Sequence, residues 1–338
     1  MTPSYPLSLL SDGATWRGRV LSGRTLDLLA ALAGSEGARM GDDAIIEALW
    51  PADPPAHPLR ALHVVVSRAR AAVGDVVERV GDGYRLALAT SDVDARDLAA
   101  RAARARACAA TGQWDQVLEL TDDLPGPDAD VLAGTGPAGG GARRPGPLAR
   151  HPGPLTRLRE RAAAHAEAAG RQRALALEAV GEYEQAVPLL QAAAEREPDD
   201  ETVLAALIRA QAWARSPAVA LRTYEDYRLR LREQGAVPGP VARAAHEVAL
   251  AAENPVRRGL EPVPEHFLGR QDDVAAVGKA LGTHRLVTVT GPGGVGKTTL
   301  AQAVAARSRR PAVYVAALAD VAPGADLVRV LLDALGSP

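Results

Sequence analysis

The chain has 338 residues, a formal net charge of −2 and 47% hydrophobic residues, which is the profile of two or three ordinary globular domains. No apolar run reaches the ~18 residues that a membrane span needs, and no basic stretch followed by an apolar core opens the chain, so the expectation is a cytoplasmic protein without a membrane partner. The single cysteine, Cys108, excludes an intrachain disulfide framework, and 3% aromatic residues mean that cores must be built from Leu, Val and Ala.

In chain order, Tyr5 to Leu10 alternates like a short strand. Leu26, Leu29, Ala30 and Leu32 then form a helical apolar stripe ending before Gly34. Asp42 or Asp43 is placed to cap a second helix carrying Ile45, Ile46 and Leu49, closed by Trp50-Pro51. His57 to Val73 predicts a third helix. Leu62, Val65, Val66, Ala69 and Val73 fall on one side; Arg60, His63, Ser67 and Arg70 share the other, with Val64 and Arg68 beside them. No acidic residue interrupts this helix, although the first ninety residues hold 9 Arg against 10 Asp plus Glu. Val76 to Val80 and Tyr84 to Leu88 read as strands joined by Gly81-Asp82-Gly83, a hairpin signature.

Three helices and a hairpin describe a winged helix-turn-helix whose third helix enters the major groove. Arg and His there reach base edges and Ser reaches phosphate, with Arg79 of the hairpin near the adjacent minor groove. The competing reading is a three-helix domain with a solvated polar face. Ala48-Leu49-Trp50-Pro51, Pro54-Pro55, Leu62-His63-Val64-Val65-Val66-Ser67-Arg68-Ala69-Arg70 and Gly83-Tyr84 resemble the OmpR-type winged helix of SARP antibiotic-pathway activators. His63 stands where that family often has Gln, and Val65 where it has a bulkier residue. The resemblance implies a transcriptional activator that binds direct repeats in promoter DNA, pairs as a homodimer there and recruits RNA polymerase.

From Asp92 to Glu253 nearly every residue favours helix. Gly181-Glu182-Tyr183-Glu184-Gln185-Ala186 with Pro198 matches the cues of a TPR unit, and Ala220-Leu221 falls 34 residues after Ala186-Val187. Gly112-Gln113-Trp114-Asp115-Gln116-Val117 looks like an earlier copy, and a plain helical bundle is the alternative. Leu155 to Glu160, Tyr224 to Arg228 and Gly235 to Pro240 resemble the bacterial transcriptional activation domain that follows the winged helix in SARPs. Pro125 to Pro154 holds 7 Pro and 8 Gly in 30 residues, so it reads as an irregular insert, and the resemblance lapses over Val131 to Pro154.

Residues 254–268 read as a linker. His266-Phe267-Leu268-Gly269-Arg270 resembles the entry motif of NB-ARC-type STAND switches, and Gly291-Pro292-Gly293-Gly294-Val295-Gly296-Lys297-Thr298-Thr299 is a G-x-x-x-x-G-K-[ST] loop. Lys297 is one of two lysines against 37 arginines. The candidate nucleotide ligands are Gly291, Gly293, Gly294, Gly296, Lys297, Thr298 and Thr299, with Thr298 on a nucleotide-borne Mg²⁺. Leu286 to Thr290 predicts the preceding buried strand and Lys297 to Ser308 the following helix. The 41 residues after Lys297 read as one strand and one helix, with no apolar run ending in the carboxylate a P-loop enzyme uses. The spacing therefore predicts a nucleotide module cut short, weak ATP or ADP binding, and no enzyme.

The expected architecture is mainly α: a winged helix over 1–90, a TPR-like domain over 91–253 with the insert at 125–154, the linker, and the start of an α/β P-loop domain over 269–338. An NTPase switch and a protein-binding scaffold are the rival functions.

Overall fold

A computed structural model describes residues 5–11, 13–125, 152–253, 255–262, 269–308, 310, 312–319, 321 and 326–335. Most of the Pro/Gly-rich insert and His266 to Leu268 of the entry motif lie outside them. The chain divides into two units, Met1–Thr111 with Glu119–Gln172, and Gly112–Leu118 with Arg173–Pro338.

The first unit opens with a small antiparallel meander, β1 (Leu7–Ser8), β2 (Thr15–Trp16) and β3 (Arg19–Val20). The predicted strand Tyr5 to Leu10 is shorter than its alternation suggests, because a side chain takes its amides. Buried Asp94 accepts hydrogen bonds from Leu9 N at 2.8 Å, Leu10 N at 2.9 Å and Ser8 Oγ at 2.9 Å. The tight β2–β3 turn places Arg17 (φ 46) and Gly18 (φ 80) in left-handed geometry.

Next come α1 (Gly23–Ala33), β4 (Met40–Gly41), α2 (Asp42–Leu49), α3 (Pro58–Val73), β5 (Val77–Val80) and β6 (Gly83–Leu86), with strand order β4-β6-β5. The apolar stripes converge as expected: Leu28, Leu29, Leu32, Ile45, Leu49, Leu62 and Val66 share one core. Gly41, not an aspartate, is the N-cap of α2. Asp42 and Asp43 lie in the first turn, where they oppose the helix dipole without a side-chain cap bond.

That core does not stop at residue 90. In α4 (Asp94–Ala110), buried Arg96 donates to the carbonyls of Leu32 (2.8 Å), Ala33 (3.1 Å), Leu86 (3.3 Å) and Leu88 (3.3 Å), tying the end of α1 to the wing. Burial lowers the Arg96 pKa, and the carbonyl dipoles at the C-terminus of α1 offset that cost. Leu158, Ala162 and Ala166 of α6 (Pro154–Val180) join the same core. Arg159 donates to Leu9 O at 3.0 Å and Ser11 O at 2.6 Å, and Arg161 to Gly34 O at 3.0 Å.

The second unit pairs α7 (Tyr183–Arg196) with α8 (Glu201–Ala214) and α9 (Pro217–Glu233) with α10 (Pro240–Glu253). Ala186 and Ala220, 34 residues apart, are both fully buried at matching places in the first helix of each pair. Asp200 caps α8 through Thr202 N and Val203 N, and Ser216 caps α9 through Val219 N. Trp114 and Val117 belong to a short helix, α5 (Trp114–Thr121).

Inside the expected linker, β7 (Val256–Arg258) pairs in parallel with β8 (Ala312–Tyr314). The helices α11 (Gln271–Thr283), α12 (Lys297–Arg307) and α13 (Leu327–Leu335) complete the described residues. The predicted strand Leu286 to Thr290 has no ladder partner among them, and Leu286 is 81% exposed. Its apolar-polar alternation suits a strand with one covered face; the described ladder here is instead that of β7 with β8. Among the described residues, no helix is long and apolar enough to cross a membrane.

Candidate functional site

Among the described residues, two places present chemistry outward, and α3 is the better framed. Pro58 opens the helix at N1 with its φ already helical. Leu62, Val65, Val66, Ala69 and Val73 are buried against the core. At about 100° per residue this fixes the opposite face, where Arg60, His63, Val64 and Ser67 are exposed. Arg68 and Arg70 flank that face on opposite edges. The sixteen residues contain no acid. No hydrogen bond or ion pair ties Arg60, His63 or Arg68 among the described residues. The face therefore offers a guanidinium fork, an imidazole, a hydroxyl and an apolar branch at 46% exposure (Val64), the donor and methyl-contact set that base edges in a major groove match.

The other two predicted residues are placed differently. Arg70 Nε donates to Val77 O at 2.8 Å, and its guanidinium lies 5.8 Å from the centre of the Tyr84 ring. Arg79 lies 4.7 Å from that ring, donates to Gly81 O at 3.0 Å and pairs with Asp42 at 2.9 Å. Hydrogen bonding with Tyr84, and then with Asp42, raises the Arg79 pKa. Around them Asp42 N donates to Asp82 O at 3.0 Å, Arg39 pairs with Asp82, and a Cβ at Gly83 would overlap the Met40 carbonyl. Sequence reasoning missed Tyr84 and Asp42 as partners of these arginines. Gly83-Tyr84 stood out only as a family motif, and Asp42 only as a helix cap.

The phosphate loop forms the second place. Gly294 (φ 78) and Gly296 (φ 86) adopt left-handed conformations, and Gly296 is the N-cap of α12. Among the described residues no side chain caps this helix, so its first amides lack a side-chain acceptor; Gly291, Gly293 and Thr298 are exposed and Thr299 is half-buried. Lys297 Nζ folds over its own loop, donating to Gly291 O at 3.0 Å and Pro292 O at 2.8 Å. Arg270 Nη2 holds Val295 O at 2.9 Å. Beneath the loop Leu300, Ala303 and Val304 pack with Val274. These groups fit a phosphate chain: amides and an ammonium for its oxygens, and the Thr298 hydroxyl for a nucleotide-borne Mg²⁺. Among the described residues, no group of three or more His, Cys, Asp or Glu is placed to hold a metal ion.

Comparison with known proteins bears on the helical part of the chain and on segments beyond it. Residues 136–250 match the family model of the bacterial transcriptional activator domain. The match opens at residue 136, inside the Pro/Gly-rich stretch where the resemblance was expected to lapse; that composition carries no periodicity to follow. The chain is 33% identical over 355 residues to the regulatory protein AfsR of Streptomyces griseus, covering 91% of this chain and 34% of that protein. It thus spans about a third of that relative's length. In fold it is similar to Mycobacterium tuberculosis EmbR, solved in complex with a low-affinity phosphopeptide. The TM-score is 0.53 at 24% identity, over 74% of this chain and 66% of that one. Helices α6 to α10, from Pro154 to Glu253, are thus the described body of a region that carries the sequence pattern of a bacterial transcriptional activator domain.

Proposed function

We propose that this protein is a sequence-specific, DNA-binding transcriptional activator of the SARP type, controlling a secondary-metabolite (antibiotic) gene cluster. The observation that carries the reading is the outer face of α3: Arg60, His63, Val64 and Ser67 exposed, flanked by Arg68, with no acid on the helix and the β5–β6 hairpin following it. The activator-domain match at 136–250 and the likeness to AfsR and EmbR support it. Arg60 and His63 read base edges, Val64 meets a thymine methyl, and Ser67 and Arg68 hold phosphate. The helical pairs support dimerisation on direct repeats and contact with RNA polymerase.

The test is selection of duplexes from a random pool by the full chain, followed by binding of alanine variants at fixed salt. Arg60→Ala and His63→Ala relax the base preference, each by ~1–3 kcal/mol of discrimination. Arg68→Ala lowers affinity for all sequences alike and reduces the salt slope by about 1. The activator reading fails, and a protein-binding scaffold replaces it, if no motif is enriched or if all these variants bind like the parent.

The phosphate loop supports a second, subordinate role. Its amides and Lys297 suit ATP or ADP with Mg²⁺, as a regulatory ligand and not as a substrate for turnover. Binding of labelled ADP that disappears in Lys297→Ala, without hydrolysis of ATP, is the expected result. Robust Lys297-dependent turnover would make the protein an NTPase.

A further inference from the structure

A winged helix can use its hairpin as a second DNA reader, and Arg79 stands on this hairpin. Its surroundings argue for a different use. Tyr84 is 5% exposed and lies under two guanidinium groups, Arg70 from α3 at 5.8 Å and Arg79 from β5 at 4.7 Å. Each arginine has part of its guanidinium engaged by the protein: Arg70 Nε donates to Val77 O, Arg79 Nε to Gly81 O and Arg79 Nη1 to Asp42 at the start of α2. The tip itself is short, and its Asp82, with the side chain 80% exposed, pairs with Arg39. Such a pair presents no net positive charge for a phosphate backbone to meet.

We propose that Arg70 and Arg79 are positioning residues, not DNA contacts: with Tyr84 and Asp42 they lock the wing to α2 and α3 and so fix the attitude of the α3 face. This rests on the DNA-binding reading above. Asp42 gives the clearest sign. Neutralising an acid near DNA tightens binding if only charge matters. If Asp42 instead holds Arg79 in the lock, its loss loosens the wing and weakens specific binding.

The experiment has two arms on the full chain. In the free protein, hydrogen exchange of residues 77–86 is measured for Asp42→Asn, Arg79→Gln and the double variant. Exchange rises about two- to fivefold in each single variant and no further in the double, as expected for one shared interaction. Exchange like the parent's in both single variants overturns the lock. In the second arm the selected duplex and a random duplex are titrated at several salt concentrations. Both variants lose about two- to fivefold in affinity for the selected duplex, and Arg79→Gln keeps the parental salt slope. Equal or tighter binding by Asp42→Asn, or a salt slope lower by about 0.9 in Arg79→Gln, overturns the proposal, because one phosphate contact is worth that much. Arg79→Lys restores neither the ring stacking nor the two-point donation and binds like Arg79→Gln; full rescue by lysine counts against the proposal. Failure of the DNA reading shows separately: the parent then enriches no motif, while the exchange arm still reports on the wing.

Discussion

The outer face of α3 and the phosphate loop are both cationic displays, and they are built in opposite ways. Among the described residues, Arg60, His63 and Arg68 have no hydrogen-bond or ion-pair partner, on a helix whose inner face is sealed into a large core. Lys297 is folded onto the carbonyls of its own loop, above a small cluster of Val274, Leu300, Ala303 and Val304, next to an extended segment that pairs with nothing described. A short motif can set its backbone geometry locally, through left-handed glycines and a helix start. Holding a side chain out for a large partner takes a framework assembled from distant segments.

The sharpest way to test that contrast is to damage each framework. Leu62→Ala empties a site of 0% exposure and is expected to cost about 2–5 kcal/mol, read as a fall in the first thermal transition. Leu331→Ala, at a residue 43% exposed on α13, should stay within about 0.5 kcal/mol. Equal losses would erase the distinction between the two regions.

Arg96 comes next, because it stitches α1 to the wing. Arg96→Met leaves its carbonyls at Leu32, Ala33, Leu86 and Leu88 without their donor, and a loss of about 2–4 kcal/mol is expected from denaturant unfolding. A change below about 0.5 kcal/mol would mean that solvent replaces these bonds freely.

The smallest effect is electrostatic. Asp123, hydrogen-bonded to Arg101, has its pKa held below the ordinary carboxylate value. A depressed folded pKa contributes stability above the unfolded value and loses it as pH falls through the folded one, so the loss lies below about pH 4. Its side chain is 49% exposed, so screening limits the contribution to about 0.3–0.5 kcal/mol. Unfolding midpoints of Asp123→Asn and the parent should differ at pH 6 and converge as the pH falls through the acid range; a constant gap would assign the difference to something other than this pair.

What the sequence made legible follows from period. The stripes at Leu62, Val65, Val66, Ala69 and Val73, and the 34-residue return from Ala186 to Ala220, are periodic signals, and both describe buried faces. Of the two-residue strands, β2, β3 and β4 were hidden because one or two ladder pairs leave no alternation to detect. The strand expected at Leu286 to Thr290 has the right local pattern, but strand formation is settled by neighbours that pattern does not contain. Arg70 and Arg79 showed their charge in the sequence, while their engagement with Tyr84 and Asp42 depends on contacts across 14 and 37 positions.

The reach of α6 into the first unit has a consequence for how the protein is born. Arg159 closes on Leu9 and Ser11 across 150 and 148 positions, and Leu158, Ala162 and Ala166 complete the core around α1 and α3. A ribosome adding residues at about 5–20 per second releases the three-helix segment long before the helix that finishes its core. The nascent winged helix must wait, partly uncovered, for a closure of high sequence separation, and such closures are slow. Arrest of translation after residue 110 should therefore leave a protease-sensitive chain, and arrest well beyond residue 172 a resistant one.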